Sequence, residues 1–187
     1  ISIACGNTVV LKASSQTPLT AMRIMELFYE EAGFPKGVVN LVTCSRVEAD
    51  ILLTDPRVKA VTFVGTTGVG KAVYSKAAEH GKRVQAQTEA KNHALVLEDC
   101  DLEATVNAVV NATYGCAGMR CMALPVVCVQ ESIADEFVKL IKEKASAMKT
   151  GCAYDEETDL GPVVSASHKE KVLSWIQKGI DEGAELV

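Results

Sequence analysis

Two short stretches of the 187-residue chain combine residue types that could do chemistry. The first, YGCAGMRCMA at 114–123, sets Cys116 and Cys121 five positions apart, with Arg120 directly before the second cysteine. A free cysteine usually behaves as a small buried hydrophobe. Here, however, Gly115, Ala117 and Gly118 let other groups approach closely, and Arg120 supplies the positive charge that lowers a thiol pKa. The residues alone leave Cys121 as either a nucleophile or a packing residue. Cys116 reads as packing, and Cys128, inside an apolar strand, reads so more strongly. No histidine is near in sequence to complete a cysteine–histidine pair.

The second stretch, FVGTTGVGK at 63–71, sits between a strand pattern and a helix pattern, where backbone N–H groups and the positive helix end can hold a phosphate. Gly65, Gly70 and Lys71 satisfy G-x-x-x-x-G-K, but Ala72 stands where the Mg²⁺-binding hydroxyl would be. The dinucleotide fingerprint G-x-G-x-x-G also fails, because Val73 occupies its last glycine position. Two readings stay open: a phosphate cradle, or a glycine-lined helix start without a ligand.

These stretches must be positioned by the elements around them. The pattern predicts a strand at Thr8–Leu11, then a helix with Thr17 as N-cap, Pro18 at its first position, and Gly33 and Pro35 as stops. Met22, Met25, Tyr29 and Ala32 form its expected apolar stripe. GVVNLV is a strand, and Ser45-x-x-Glu48 is a capping box leading into a short helix. VKAVTFVG reads as a buried strand, followed after the glycine-rich turn by the helix GKAVYSKAAEHG, closed by Gly81. KRVQAQT and HALVLE are strands, and a helix covers about Asp101 to Tyr114. ALPVVCV is a strand, ESIADEFVKLIKEKASAM a helix, and a last helix starts near Ser167-x-x-Glu170. A strand is expected to begin within DEGAELV. Strands alternating with helices in this way imply β-α-β units around a mostly parallel sheet.

Composition bounds the rest. A hydrophobic content of 48% with 23% charged residues describes a folded chain rather than a disordered one. The net charge of −5 comes from interspersed residues without a basic run, which disfavours a nucleic-acid partner. No apolar run approaches the roughly 18 to 20 residues of a membrane span, and no leader pattern stands at Ile1. Seven scattered cysteines without a C-x-x-C pair point to a reducing compartment, the cytoplasm or, in a eukaryote, the mitochondrial matrix. His80, His93 and His168 are far apart in sequence, so no metal site is expected. Both termini read as cut from something larger.

Taken in order, ACGNTVVLK, AGFPKGVVNLV, VKAVTFVGTTGVGK, KRVQAQTEAKNHALVLEDCDLE, GMRCMA and DLGPVV resemble the aldehyde dehydrogenase superfamily across the whole chain. KRVQA, AKNH and RCMA are most similar to its CoA-acylating malonate/methylmalonate semialdehyde branch. The resemblance implies an α/β fold: residues 1–89 as the later part of a Rossmann-type NAD(P)-binding domain, and 90–187 as the first part of an α/β catalytic domain. It implies Cys121 as the nucleophile that forms a thioester, its own backbone N–H as one oxyanion donor, and Arg120 as the partner of a substrate carboxylate. Lys12 matches the lysine beside the adenine ribose, and Gly65, Thr66 and Gly70 match the turn beside the pyrophosphate. Ser15 replaces a glutamate common in NAD-preferring members, which leaves both NAD and NADP open.

Gln87 stands where hydrolytic members carry a glutamate general base; without that base, CoA becomes the implied acyl acceptor. Glu89, two residues on, would share a face with Gln87 only if the strand continued, and is expected to be displaced and non-catalytic. Met119 departs from the glutamate or glutamine of relatives. The implied parent is a homo-oligomeric enzyme acting on a small aldehyde that bears a carboxylate. The rivals are a hydrolytic dehydrogenase using Glu89, and a non-catalytic nucleotide-binding or structural module in the 187-residue chain by itself.

Overall fold

Three times along the chain a strand, a helix and a second strand form a unit whose two strands pair in parallel. The computed structural model describes residues 1–187, which divide into two compact units, Ile1–Thr88 and Glu89–Val187. In the first unit β1 (Val9–Lys12), α1 (Pro18–Glu30) and β2 (Val39–Val42) make one such motif, with Val9 opposite Val39. β3 (Ala60–Val64), α3 (Thr67–Glu79) and β4 (Arg83–Gln87) make the next, with Val64 opposite Gln87. Between them lie a 3-10 turn (Glu48–Asp50) and the short helix α2 (Ile51–Thr54). In the second unit β5 (His93–Val96), α4 (Leu102–Tyr114) and β6 (Val126–Val129) form the third, with His93 opposite Val126. α5 (Glu131–Ser146) and α6 (Ala166–Asp181) follow. The expected parallel pairing is therefore present as three separate two-stranded ladders instead of one sheet.

Local chemistry explains most boundaries. The Ser45–Glu48 box forms reciprocally: the Ser45 N–H donates to Glu48 Oε2 at 2.7 Å, and the Glu48 N–H to Ser45 Oγ at 3.4 Å. The Ser45 hydroxyl, followed by its backbone, holds the Glu48 carboxyl below the usual carboxylate range. Pro18 begins α1 with Thr17 at the N-cap, although the Thr17 hydroxyl makes no capping bond. Gly33 and Gly81 end α1 and α3 at φ +66° and +67°, conformations that disfavour any residue with a Cβ. Asp101 caps α4 by accepting from the Ala104 N–H at 3.0 Å.

Several expectations need correction. α1 stops at Glu30, so Ala32 is exposed outside the helix; of the proposed stripe Met25 is buried, Tyr29 half-buried and Met22 exposed. β3 alternates exposed and half-buried residues, because its ladder with β4 has α3 packed on one face and the other face open. α6 is capped by Ser165, whose Oγ accepts from the His168 N–H at 3.2 Å, while Ser167 lies in the first turn. Residues 184–187 form no strand.

Two cations tie down the start of α2 and its exit. Lys76 pairs with Asp50, and the buried Lys82 donates to the backbone carbonyls of Asp55 and, at 2.7 Å, Val58. Asp55 in turn accepts Arg57 Nε at 3.0 Å and Nη2 at 2.6 Å, and these side-chain bonds hold its carboxyl well below the usual range. A carboxyl lowered in the fold stabilises it above the ordinary pKa near ~4 and loses that effect as pH falls through the lowered value. Asp55→Asn should therefore flatten the acid limb of a Tm-against-pH curve, by a small amount because Arg57 is solvent-screened. Superimposable acid limbs would contradict this account.

In the second unit the core is Val96 from β5, Val106, Val109 and Val110 from α4, and Phe137 from α5. The valines on α4 follow helical spacing and face Phe137, as expected for an amphipathic helix over a short ladder. Leu124 and Tyr114, which flank the cysteine stretch, pack against the same core.

Candidate active site

The YGCAGMRCMA stretch starts where α4 ends. Tyr114 is the last helical residue, Gly115 caps it, and Cys116, Ala117 and Gly118 then run left-handed at φ 54°, 54° and 69°. For non-glycine residues this conformation costs on the order of 1–2 kcal/mol each, so surrounding bonds must hold it. Gly118 tolerates its φ without strain and places its Cα hydrogen where a Cβ would lie 3.3 Å from the Thr113 carbonyl.

The last turn of α4 supplies those bonds. A helix leaves its final carbonyls short of partners, and the loop returns to two of them, Asn111 already accepting the Gly115 N–H. The Leu124 N–H donates to the Ala112 carbonyl at 3.1 Å, and Arg120 Nη2 to the Asn111 carbonyl at 2.6 Å. The Thr113 hydroxyl donates to the Leu124 carbonyl at 3.0 Å. Gly115 leaves room for the guanidinium: a Cβ there would lie 1.7 Å from Arg120 Nη2 and would displace the arginine tip from this position. Within the loop the Ala123 N–H donates to the Arg120 carbonyl at 3.0 Å. From the other side Asn92 Nδ2 donates to the Cys121 and Ala123 carbonyls at 3.0 and 2.8 Å.

Cys121 is exposed at the apex of this fastened loop, so its thiol is not filling a core. Cys116 and Cys128 are exposed too, which corrects their reading as packing residues. The left-handed turn carries Cys116 off the inner face of α4, and the outer face of the β5–β6 ladder is uncovered at Cys128. Arg120 is directed at a backbone carbonyl by one of its five donors, which leaves the rest of the fork available.

The first unit gathers a second set. α3 starts at Thr67, not at the expected Gly70, so Gly68 and Gly70 lie in its first turns and only Gly65 belongs to the loop. Thr66 is the extended N-cap residue, and the ladder opens with the Gly70 N–H donating to its carbonyl at 2.8 Å. No acidic residue of α3 itself occupies its first turn, so the positive end of the helix dipole suits an anion there. Both glycines of the pattern also have a packing reason. A Cβ on Gly65 would lie 2.6 Å from the Phe63 ring, and one on Gly70 2.5 Å from Thr88 Cγ2 and 3.6 Å from the same ring. Gly70→Ala should lower stability by about 1–3 kcal/mol through overpacking, read as a lower urea midpoint. Adding Thr88→Ser removes the clashing methyl and should recover most of the loss; a double variant no better than the single would refute this cause.

Gln87 closes β4 opposite Val64, and its carbonyl accepts the Gly65 N–H at 3.2 Å, which sets it beside the glycine turn. Because the ladder stops at Gln87, strand alternation does not carry its facing to Glu89, which lies outside any strand. Lys12 ends β1, with its Nζ donating to the Ala13 carbonyl at 3.0 Å, and Ser15 is exposed just beyond. The carboxyl ends of parallel strands are the usual ligand side of α/β folds.

The profile of the aldehyde dehydrogenase family matches residues 1–187, the full chain. The chain belongs to the aldehyde dehydrogenase family. Its relatives include the malonate-semialdehyde dehydrogenase 1 of Oceanobacillus iheyensis, 50% identical over the whole chain, and the Bacillus pumilus malonate-semialdehyde dehydrogenase at 48%. The chain spans 38% of the length of each. Among solved structures, the methylmalonate-semialdehyde dehydrogenase of Oceanimonas doudoroffii superposes with a TM-score of 0.93 at 41% identity, over 100% of this chain and 38% of that one. The Staphylococcus aureus betaine aldehyde dehydrogenase, solved in complex with NAD+, gives 0.87 at 34% identity, over 96% of this chain and 36% of its own. The fold is thus aldehyde dehydrogenase-like, and the family is one of oxidoreductases. No helix is long and apolar enough to cross a membrane.

Asn92 is the residue that sequence reasoning missed. It sits inside the AKNH stretch that carried the resemblance, but its partners lie 29 and 31 residues away, beyond any local signal.

Proposed function

We propose that this chain belongs to a CoA-acylating semialdehyde dehydrogenase, acting on malonate or methylmalonate semialdehyde with Cys121 as nucleophile. The observation that carries the reading is the exposed Cys121 at the apex of a loop whose backbone is fastened on both sides. The names of the relatives support the substrate class. On this reading residues 1–89 belong to the nucleotide-binding domain and 90–187 to the catalytic domain.

The Cys121 thiolate attacks the aldehyde carbon, and its own N–H is one donor to the oxyanion that forms. NAD, when bound, would supply the hydride acceptor; the CoA sulfur then bonds to the acyl carbon of the Cys121 thioester, and the Cys121 thiolate leaves. Arg120 uses its remaining donors to hold the substrate carboxylate as a planar fork. The α3 N-terminus and Thr66 fit a pyrophosphate beside the Gly65 turn, the buried Gly70 serves helix packing, and Lys12 and Ser15 lie on the ribose side. Ser15 places no carboxylate against a 2′-phosphate, so NADP is a second acceptable cofactor. Gln87 takes up no proton, which disfavours water as the acyl acceptor. The parent assembles as a homo-oligomer and works in the cytoplasm or mitochondrial matrix.

The test is NADH formation by the parent enzyme with malonate semialdehyde, with and without CoA. CoA-dependent turnover is expected; equal rates without CoA would refute the acceptor assignment. The anion-suited start of α3 favours a second reading of the 187-residue chain by itself, as a nucleotide-binding module. Titration of that chain with NAD and NADP distinguishes a module that binds from a purely structural one.

A further inference from the structure

We infer that Asn92 is a positioning residue for Cys121, acting through the loop backbone and not on the substrate. The inference rests on Cys121 being the nucleophile. The loop from Met119 to Pro125 has no regular secondary structure, so no ladder orients its peptide planes. Two planes flank the Cys121 Cα, and each is held by a different bond. The plane before it, which carries the Cys121 N–H, is fixed by the Arg120 carbonyl accepting from Ala123 N–H at 3.0 Å. The plane after it is fixed by the Cys121 carbonyl accepting from Asn92 Nδ2 at 3.0 Å. Together they set the Cα–Cβ direction of the nucleophile and the direction of its N–H donor.

The side-chain type matters. One amide nitrogen serves two carbonyls, Cys121 at 3.0 Å and Ala123 at 2.8 Å, using both of its hydrogens. Two carbonyl acceptors also dictate which way the amide points. Aspartate has the same shape and no hydrogen to give, while glutamine would push the amine one carbon further. Fold topology places Asn92 here: it immediately precedes β5, and His93 is the register partner of Val126, where the loop enters β6. A residue at the start of one parallel strand thereby reaches the chain entering the next, and the rigid ladder becomes the reference for the nucleophile.

The test uses Asn92→Ala, Asn92→Asp and Cys121→Ala in the parent enzyme, with single-turnover NADH formation, NAD affinity and thermal unfolding as readouts. In the 187-residue chain, the pH profile of iodoacetamide labelling is followed separately at Cys121 and Cys116 by peptide mass spectrometry. A misplacement of the nucleophile by an ångström should slow hydride formation by about 100-fold, with NAD affinity unchanged. In Asn92→Asp the new carboxylate should move the labelling midpoint of Cys121 to higher pH, because a nearby anion disfavours the thiolate, and leave Cys116 in place. Wild-type hydride rates in both Asn92 variants, with Cys121→Ala inert, would overturn the inference and leave the nucleophile intact. Equal midpoint shifts at both thiols would also overturn it, as would rates lost only in proportion to unfolded protein. Full activity of Cys121→Ala would remove the nucleophile reading itself, and the positioning role with it. Should the alanine variant fail to fold, the isosteric Asn92→Asp carries the test.

Discussion

Replacing Cys121 by alanine is expected to lower NADH formation by the parent enzyme roughly a thousandfold or more, while the melting temperature stays close to wild type. The separation of the two effects follows from the geometry. Cys121 is exposed, so its removal empties no core, and the bonds that fasten the loop run through backbone atoms of residues 120, 121, 123 and 124 and the side chains of Asn92, Arg120 and Thr113. Cys121→Ser should behave similarly, since an unactivated hydroxyl is a far weaker nucleophile than a thiolate. Progress curves at saturating aldehyde, alongside a thermal melt, make the comparison. Retention of activity within a factor of about ten would exclude Cys121 as the attacking group.

The second large effect is expected at Gln87. Gln87→Glu introduces a carboxylate able to take a proton from water, and should raise CoA-independent acyl release by about 100-fold or more. The substitution is nearly isosteric, and the bond that Gln87 makes in the fold is through its carbonyl, which accepts the Gly65 N–H, so the ladder should survive. Glu89→Gln should leave deacylation unchanged, because Glu89 lies past the end of β4 and strand alternation does not align it with Gln87. The measurement is the ratio of free acid to acyl-CoA product. A CoA requirement that persists in Gln87→Glu would show that the missing base is not what selects the acceptor.

What could be read from sequence was set by the range of each interaction. The Ser45–Glu48 box, the glycines after α1 and α3 and Pro18 all act within a few residues, and each appears at its expected place. The glycines before α3 suggest a loop, whereas Thr66 already takes the extended cap conformation and two glycines are tolerated in the first turns. Ser167 and Glu170 have the spacing of a capping box, yet Ser165 is the residue whose hydroxyl accepts. Cys116 was misjudged for a similar reason. Its neighbours are apolar, but burial depends on where a left-handed turn sends the chain, and no composition window records that. The candidate site divides in the same way: Cys121 and Arg120 are visible as types in a motif, while Asn92 is visible only once β5 and β6 are paired.

The anchoring of the Cys121 loop on the final carbonyls of α4 makes the length of that helix part of how the proposed nucleophile is held. Asn111 and Ala112 face the returning loop only because α4 has a fixed number of residues between its Asp101 cap and its end. Adding or deleting one residue in the helix would rotate those carbonyls by about 100° about the axis, away from Arg120 and Leu124. Surface substitutions along α4 leave this phase untouched, whereas a single-codon insertion or deletion, even on its solvent side, shifts the angular reference against which Cys121 is held.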